Sequence, residues 1–299
     1  MTPPRESEPA EAALRAAVAR SRDPAGRLDA QVTLARFWRE RGDYRRAGVL
    51  LALTLHAAER IYGVDCPDVA AVCNEWGVLG KYTGHFDRSH ALYLRALAIC
   101  ENTYGSDHDT VATLCHNLGG LAHARGAHHE GEPWAARSVS IRTRLYGADH
   151  LLVAADRAAW AALLDGCGRP CDAEAQLRAA LAVVQRVHGA EHYEIAVITH
   201  NLAALEHRRG NHTAAIDGYT RVLALKARLL GDSHPDLATT LVNLATAHRQ
   251  RGGLGQAALH YTRAIAVLAP HVTCEHPALS AARQGLALSR TEGTHQRHG

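Results

Sequence analysis

Asparagine and histidine side chains are the residues of this sequence best suited to recognition or chemistry. Asn117, Asn201 and Asn243 stand at equivalent places of a repeated pattern, and an amide side chain offers a donor and an acceptor that match a peptide unit. The 21 histidines titrate near neutral pH and can bind metals, but so many will include neighbours that arise by accident. These residue types therefore indicate peptide recognition first, and acid–base or metal chemistry second.

An enzyme or a metal-binding protein is one alternative that the residues leave open. His116, His200, Asp156 and Arg157 could converge in one groove and bind a metal or a small polar molecule. However, the sequence contains no glycine-rich phosphate loop, no nucleophile elbow and no His-Glu-x-x-His motif. We therefore expect no catalytic residue, no metal site and no cofactor.

Two ladders of glycine indicate the elements that position these side chains. Both have a period of 42 residues, and the second runs 21 residues out of phase with the first. The first ladder consists of Gly63, Gly105, Gly147, Gly189 and Gly231, and the second of Gly42, Gly84, Gly126, Gly168, Gly210 and Gly252. A fixed period of this length is typical of a repeat protein, and we expect these glycines to end helices in a left-handed conformation.

Each period has the pattern of two amphipathic helices. Counted as offsets from the first-ladder glycine, apolar residues recur at 6, 9, 10, 13, 14 and 17, which is helical spacing. Offset 14 is always small, as at Gly77 and Ala203, so a second helix can approach closely. A histidine recurs at offset 3, where we expect it to cap the first helix: His108, His150, His192, His234 and His276. Each period is thus a helical hairpin that must stack on its neighbours.

These hairpins resemble the tetratricopeptide repeat. The resemblance rests on the small residue at offset 14, an aromatic residue at offset 30 and alanine at offset 33, represented by Tyr93, Tyr219, Tyr261, Ala96, Ala180 and Ala264. The 42-residue period, the segment Tyr146–His150 and the Asn-Leu-Ala triplets at 201–203 and 243–245 are similar to the kinesin light chain subtype, which is widespread in bacteria. The resemblance covers about residues 25–290. It implies an all-α, right-handed superhelical solenoid of about six hairpins with capping helices.

In the resembled family the first helices line a concave groove, and an asparagine at offset 12 hydrogen-bonds an extended bound peptide. In this sequence, offsets 8, 11, 12, 15, 18 and 19 lie opposite the core stripe and carry amides, small residues and cations. We therefore expect a peptide-binding groove that includes Asn74, Lys81, His116, Asn117, His123, Asp156, Arg157, His200, Asn201, His207, Asn243 and Arg249. Two alternatives stay open: the asparagines bond neighbouring helices, and the histidines are solvated surface residues.

The charge of this groove indicates the class of partner. The four groove histidines, with Lys81 and Arg249, form a positive edge that strengthens below about pH 6.5, so the implied partner is an acidic segment or a carboxylate. The net charge of the chain is only +3 with neutral histidines, and the basic residues are spread out, so we expect no nucleic acid. No segment is apolar enough for a membrane span or a secretion signal, so we expect a cytoplasmic protein without membrane contact.

The unbroken register predicts one elongated domain over residues 9–290, with disordered tails at 1–8 and 291–299. The seven cysteines are expected to be reduced core thiols, since two of them share the apolar offset 10. The function that fits best is a bacterial scaffold or adaptor that binds a protein or peptide in the groove. A ligand-sensing regulatory module is the alternative besides an enzyme or metal-binding protein, and the oligomeric state stays open.

Overall fold

The computed structural model describes residues 7–41, 43–270 and 277–298, and within these ranges every regular element is a helix. The predicted all-α class of helical hairpins is therefore confirmed. The helices are α1 (Ser7–Arg20), α2 (Pro24–Glu40), α3 (Tyr44–Tyr62), α4 (Pro67–Thr83), α5 (Phe86–Tyr104), α6 (Asp109–Ala124), α7 (His128–Tyr146), α8 (Leu151–Gly166), α9 (Pro170–His188), α10 (Tyr193–Arg208), α11 (His212–Leu230), α12 (Leu237–Gln250), α13 (Leu254–Leu268) and α14 (Pro277–His298). None of the helices described is long and apolar enough to cross a bilayer.

Contacts along the chain divide it into two compact units, unit 1 over residues 1–148 and unit 2 over residues 149–299. In unit 1, α1 packs on α2, and three hairpins follow as α2/α3, α4/α5 and α6/α7. In unit 2, the hairpins are α8/α9, α10/α11 and α12/α13, and α14 packs on α12 and α13. The sequence predicts a single domain because the 42-residue register runs unbroken across position 148, so periodicity alone does not mark this boundary.

Three of the four described offset-3 histidines cap first helices, as predicted. In all four the ring Nδ1 accepts the backbone N–H of the second residue after it, at 3.2 to 3.3 Å. His108, His150 and His192 are the N-cap residues of their helices. The bond of His234 goes to Asp236, which lies in the turn before α12 begins at Leu237, so it does not cap that helix. An N-cap bond of this kind satisfies a donor that the helix itself leaves open. His276 and the ladder residue Gly42 lie outside the described residues.

All ten described ladder glycines have a positive φ, but ψ differs between Gly63 of the first ladder and Gly84 of the second. Gly84, in the second ladder, is left-handed at φ 79° and ψ 6°. Gly63, in the first ladder, has φ 84° and ψ 171°, a conformation open essentially to glycine alone. The left-handed geometry predicted for both ladders is thus wrong for Gly63, because the chain there must extend into the next hairpin.

Small residues let the two helices of a hairpin approach, as predicted for offset 14. A Cβ added at Gly77 would lie 2.6 Å from the Cε1 atom of Tyr93, far inside van der Waals contact. The Tyr93 side chain is only 1% exposed, so it fills the space that the glycine leaves. This close packing fixes the rotation of α4 and therefore which of its side chains face away from the core.

The C-terminal helix is longer than the sequence predicts. Disorder was expected from residue 291, but α14 continues to His298. Within that extension, Glu292 pairs with Arg249 of α12 at 2.8 Å, which gives the last turns a tie to the rest of unit 2. At the other end α1 begins at Ser7, and residues 1–6 of the predicted N-terminal tail lie outside the described residues.

Candidate functional site

The candidate site is the side of the first helices that faces away from the core, here called the first-helix face. In unit 1 it is formed by α2, α4 and α6, and in unit 2 by α8, α10, α12 and α14; neighbouring first helices touch within each unit. The core offsets were predicted correctly, since α6 buries residues such as Val111, Leu114 and Leu118. Offsets 11, 12, 15 and 18 are therefore left for this face.

Two amides pair on the first-helix face of unit 1. Asn117 Nδ2 donates to Asn74 Oδ1 at 2.8 Å and so joins α6 to α4. This bond agrees with the alternative left open by the sequence, in which an asparagine bonds a neighbouring helix instead of a peptide. It uses one donor and one acceptor of the pair, and Asn74 keeps its own N–H₂ group and Asn117 its carbonyl oxygen, a combination that matches a peptide unit.

Lys81 lies across this face instead of extending into water. Its Nζ would be 3.0 Å from a Cβ built at Gly120 of α6, so the ammonium group rests on a glycine surface. Burial lowers the pKa of the Lys81 side chain, and among the described residues no carboxylate pairs with it. His116 is half-buried on the same helix, and the exposed His123 ring packs 5.2 Å from that of His128.

Glu75 holds the offset that carries asparagine in other repeats, and its carboxylate is already paired. Glu75 is 3% exposed. It accepts from Arg36 Nε at 3.1 Å and from Arg39 Nε at 2.8 Å. Both arginines come from α2, so this carboxylate ties the first two hairpins together and does not repel an acidic ligand.

His200 is the centre of a polar cluster in unit 2. Its Nε2 accepts from Asn243 Nδ2 at 3.0 Å, so the proton of the neutral ring sits on Nδ1, which donates to Thr240 Oγ1 at 3.2 Å. The ring also packs 5.1 Å from that of Tyr219. Burial, with a smaller contribution from the charge of Lys226, lowers the pKa of His200 to about 4. The predicted gain of charge below pH 6.5 is therefore wrong for His200.

Two other cations of the predicted edge also have partners. His207 Nε2 lies 2.6 Å from Gln250 Oε1, and Arg249 forms the ion pair with Glu292. Asn201 differs, because it is half-buried and has no side-chain hydrogen bond among the described residues. On this face of unit 2, Asn201 is thus the groove amide whose donors and acceptor stay open.

Asp156 is buried in the core of unit 2, whereas Arg157 is half-buried. Asp156 is 1% exposed, and the Nε atom of Arg157 is buried without a hydrogen bond among the described residues. Their offsets, 9 and 10, belong to the core stripe of a first helix, which accounts for the burial of Asp156. The burial of Asp156 contradicts its expected contribution to a groove, whereas the contribution of Arg157 stays a prediction.

One group in the described part of the chain has metal-ligand chemistry, but one of its members already caps a helix. His188, His192 and Glu194 place three ligand atoms within 4.8 Å of one another. His192 Nδ1 accepts the N–H of Glu194, so its proton is on Nε2, and binding a metal at either nitrogen would cost the helix cap. His188 stacks on His192 as Tyr104 stacks on His108, which indicates a structural role.

Sequence reasoning missed several members of these clusters. Arg36 and Arg39 stand at offsets 15 and 18 of the first repeat, so the shared offset of Arg39 and Lys81 was an available signal. Gln250, at offset 19, lies among the groove offsets but was not singled out. Tyr219 was assigned only to the core, although its ring reaches both His200 and His207.

Comparison with known proteins places this geometry in a family. A model described as tetratricopeptide repeat matches residues 155–226 and 194–269, and a second model of the same description matches residues 70–109 and 111–152. These matches cover more than half of the chain. No curated protein matches it in sequence.

Solved structures share the fold at low sequence identity. BtubC (BKLC) from P. vanneervenii is 20% identical, with a TM-score of 0.58 over 81% of this chain and 91% of that one. A putative kinesin light chain from Podosopora anserina with nearly identical repeats is 21% identical, with a TM-score of 0.56 over 69% and 97%. A Rap protein complexed with competence and sporulation factor is 12% identical, with a TM-score of 0.61 over 91% and 76%. The chain belongs to the tetratricopeptide repeat family, and kinesin light chain-like repeat proteins share its fold.

Proposed function

We propose that this protein is a protein-binding scaffold and that a polypeptide segment docks on its first-helix faces. The observation that carries the proposal is Lys81, an ammonium group held over Gly120 without an ion-pair partner among the described residues. Gly120 lies one helical turn from Asn117, whose carbonyl oxygen stays open beside the amide of Asn74. A bound segment can place a carboxylate on Lys81 and a peptide unit on the amide pair.

Unit 2 supports the same mode of binding with fewer open groups. Asn201 is the amide left for a ligand, since His200 holds Asn243 and Gln250 holds His207. The small side chain of Ala204, at offset 15 of α10, leaves room for a segment beside Asn201. One protein of the same fold was solved in complex with competence and sporulation factor, which is consistent with a scaffold that binds a partner.

The test first identifies a partner and then measures how substitution of single residues changes its affinity. Affinity capture with mass spectrometry identifies candidate partners, and synthetic peptides that tile each partner are titrated by fluorescence anisotropy. We expect Lys81→Met to weaken an acidic peptide about tenfold, the effect of one charge-assisted hydrogen bond. Asn201→Ala is the corresponding variant in unit 2.

Arg60→Met is the matched control, because Arg60 is an exposed cation of α3, a second helix. It removes the same charge and should leave the affinity unchanged. If peptides bind wild type, Lys81→Met and Asn201→Ala with equal affinity, the first-helix faces are not the docking surface. Circular dichroism of each variant establishes that the helices are retained.

A further inference from the structure

A cleft of about 630 Å³ lies on the outer side of unit 2, between the second helices α9 and α11. The first helix α10 forms its floor with residues of its core stripe, so the cleft lies opposite the first-helix face. Leu181, Leu202 and Leu225 make the lining apolar, and Arg178 and Arg221 stand among its polar residues. Its size and its mixed lining are typical of a ligand-binding site.

In unit 1 an ion pair bridges the corresponding gap between successive second helices. Arg95 donates to Glu59 at 2.6 Å, and Arg137 pairs with Glu101; each pair is separated by 36 residues. The cleft between α3 and α5 is smaller, about 470 Å³, and its lining on α5 ends at Arg88, before Arg95 is reached. The bridging pair thus coincides with the end of the open space.

Arg221 occupies the same repeat position as Arg95 and Arg137, but its carboxylate is missing. The residue 36 positions earlier is Gln185, which also lines the cleft. At the same repeat position of the next hairpin, Arg263 pairs instead with Asp232, 31 positions earlier. Arg221 has no such substitute, because the residue 31 positions before it is Ala190. Arg221 is exposed and has no hydrogen-bond or ion-pair partner in the ranges that the structure describes.

The other charges at the cleft are already balanced. Glu174 accepts from Arg178 at 2.6 Å and from Arg209 at 2.6 Å, and Glu206 also pairs with Arg209, at 3.0 Å. These pairs leave Arg221 as the cation that a ligand would neutralise. The complementary group is a carboxylate in the place that glutamate fills between α3 and α5 and between α5 and α7.

The lining also restricts the conformation of the ligand. Every lining residue belongs to a helix, so the backbone donors and acceptors of the walls are used within those helices. An extended segment would find few backbone partners, whereas a helix satisfies its own. The α9 wall runs from residue 174 to 185, which is about 16 Å at the helical rise, or three turns.

We propose that this cleft binds an amphipathic helix of a partner protein, with an apolar stripe against the leucines of the lining and an acidic residue on Arg221. The surface lies on the second helices and is separate from the first-helix faces. It would let the scaffold hold a second protein while the first-helix faces hold another.

The probe for this proposal is a fluorescent designed helix of about fourteen residues, with leucines one turn apart and glutamates beside them. The same helix with glutamines in place of glutamates measures the contribution of charge. We expect the acidic helix to bind wild type about tenfold more tightly than the neutral helix. Arg221→Gln should remove this preference, and Gln185→Glu should also remove it by supplying the missing carboxylate from within the chain.

Gln256→Glu is the matched control, since it adds the same charge at an exposed residue of α13 outside the cleft, and it should keep the preference. Lys81→Met and Asn201→Ala should keep it too, so that failure of the first-helix docking and failure of this proposal give different results. A benzophenone group on the probe should cross-link to α9, α10 or α11.

Three outcomes would overturn the proposal. They are no binding of the acidic helix, a preference that survives Gln185→Glu, or cross-links confined to first helices outside the cleft. A second copy of this chain is the other possible occupant, and sedimentation of the protein without probe tests for it. Self-association that Arg221→Gln abolishes would assign the cleft to that second copy.

Discussion

The neutral His200 makes the stability of unit 2 depend on pH in a direction that can be calculated. In the unfolded chain the imidazole has a pKa near 6.5, whereas burial holds it at about 4 in the folded protein. A lowered pKa means that the unfolded state takes up a proton first. The stabilisation is therefore complete above pH 6.5 and is lost as the pH falls towards 4.

The size of this loss follows from the two pKa values. Between pH 7 and pH 5 the linkage amounts to about 2 kcal/mol in the free energy of unfolding. Protonation of Nε2 would place a proton against Asn243 Nδ2, which is itself a donor. It would also leave the ring charged near Lys226, whose ammonium already disfavours a cation there.

Hydrogen exchange resolves this effect within unit 2. Opening free energies of α10 and α12, corrected for the intrinsic pH dependence of exchange, are compared at pH 7, 6 and 5 for wild type and His200→Gln. Glutamine does not titrate in this range, so the variant should show a pH slope smaller by about 2 kcal/mol over the interval. Because His248 and His260 also have lowered pKa values, the difference between the two proteins isolates His200. Equal slopes would refute the assigned burial and hydrogen bonding of this ring.

Two further predictions concern unit 1. Gly126 has φ +72°, so Gly126→Val should lower the free energy of unfolding by about 1–2 kcal/mol, and Gly126→Asn should lower it less. Thermal denaturation compares the two variants, and equal melting curves would contradict the role of φ. Glu75→Gln should cost about 3 kcal/mol in urea unfolding, because it leaves Arg39, only 12% exposed in its side chain, with no carboxylate except that of the exposed Glu40 at 3.5 Å. A loss below 1 kcal/mol would show that Glu40 or water compensates the arginine.

The hairpins and their caps could be predicted from the sequence because each depends on residues within one period. His108 caps its own helix, and the offset of Gly77 sets its contact with Tyr93. The site could be predicted less well because its hydrogen bonds join different periods. Whether Asn117 faces a ligand or a neighbour depends on Asn74, and helical spacing within one period gives no register between helices.

The structure supplies that register as a simple rule. Four pairs of side chains that bond between neighbouring first helices are 43 residues apart, one more than the period: Asn74 with Asn117, His200 with Asn243, His207 with Gln250, and Arg249 with Glu292. The bonds of Glu75 to Arg36 and Arg39, and of His200 to Thr240, span 36 to 40 residues and fall outside this rule. An offset on one first helix thus meets the next offset on the following one. Application of the rule to the sequence would have paired these residues in advance, and it would have left Asn201 opposite the apolar Leu244.

The rule separates groups that stabilise the array from groups available to partners. Polar side chains that find a neighbour at the fixed spacing contribute to stacking, and a ligand would have to displace that neighbour first. Lys81 and Arg221 find no acidic neighbour in the described chain, one on a first helix and one on a second helix. In a repeat protein whose equivalent positions are otherwise paired, such an unmatched cation costs stability only if it is buried. Lys81 is half-buried and Arg221 is exposed, so both cations stay available for a carboxylate from another chain, and we therefore propose acidic segments for both surfaces.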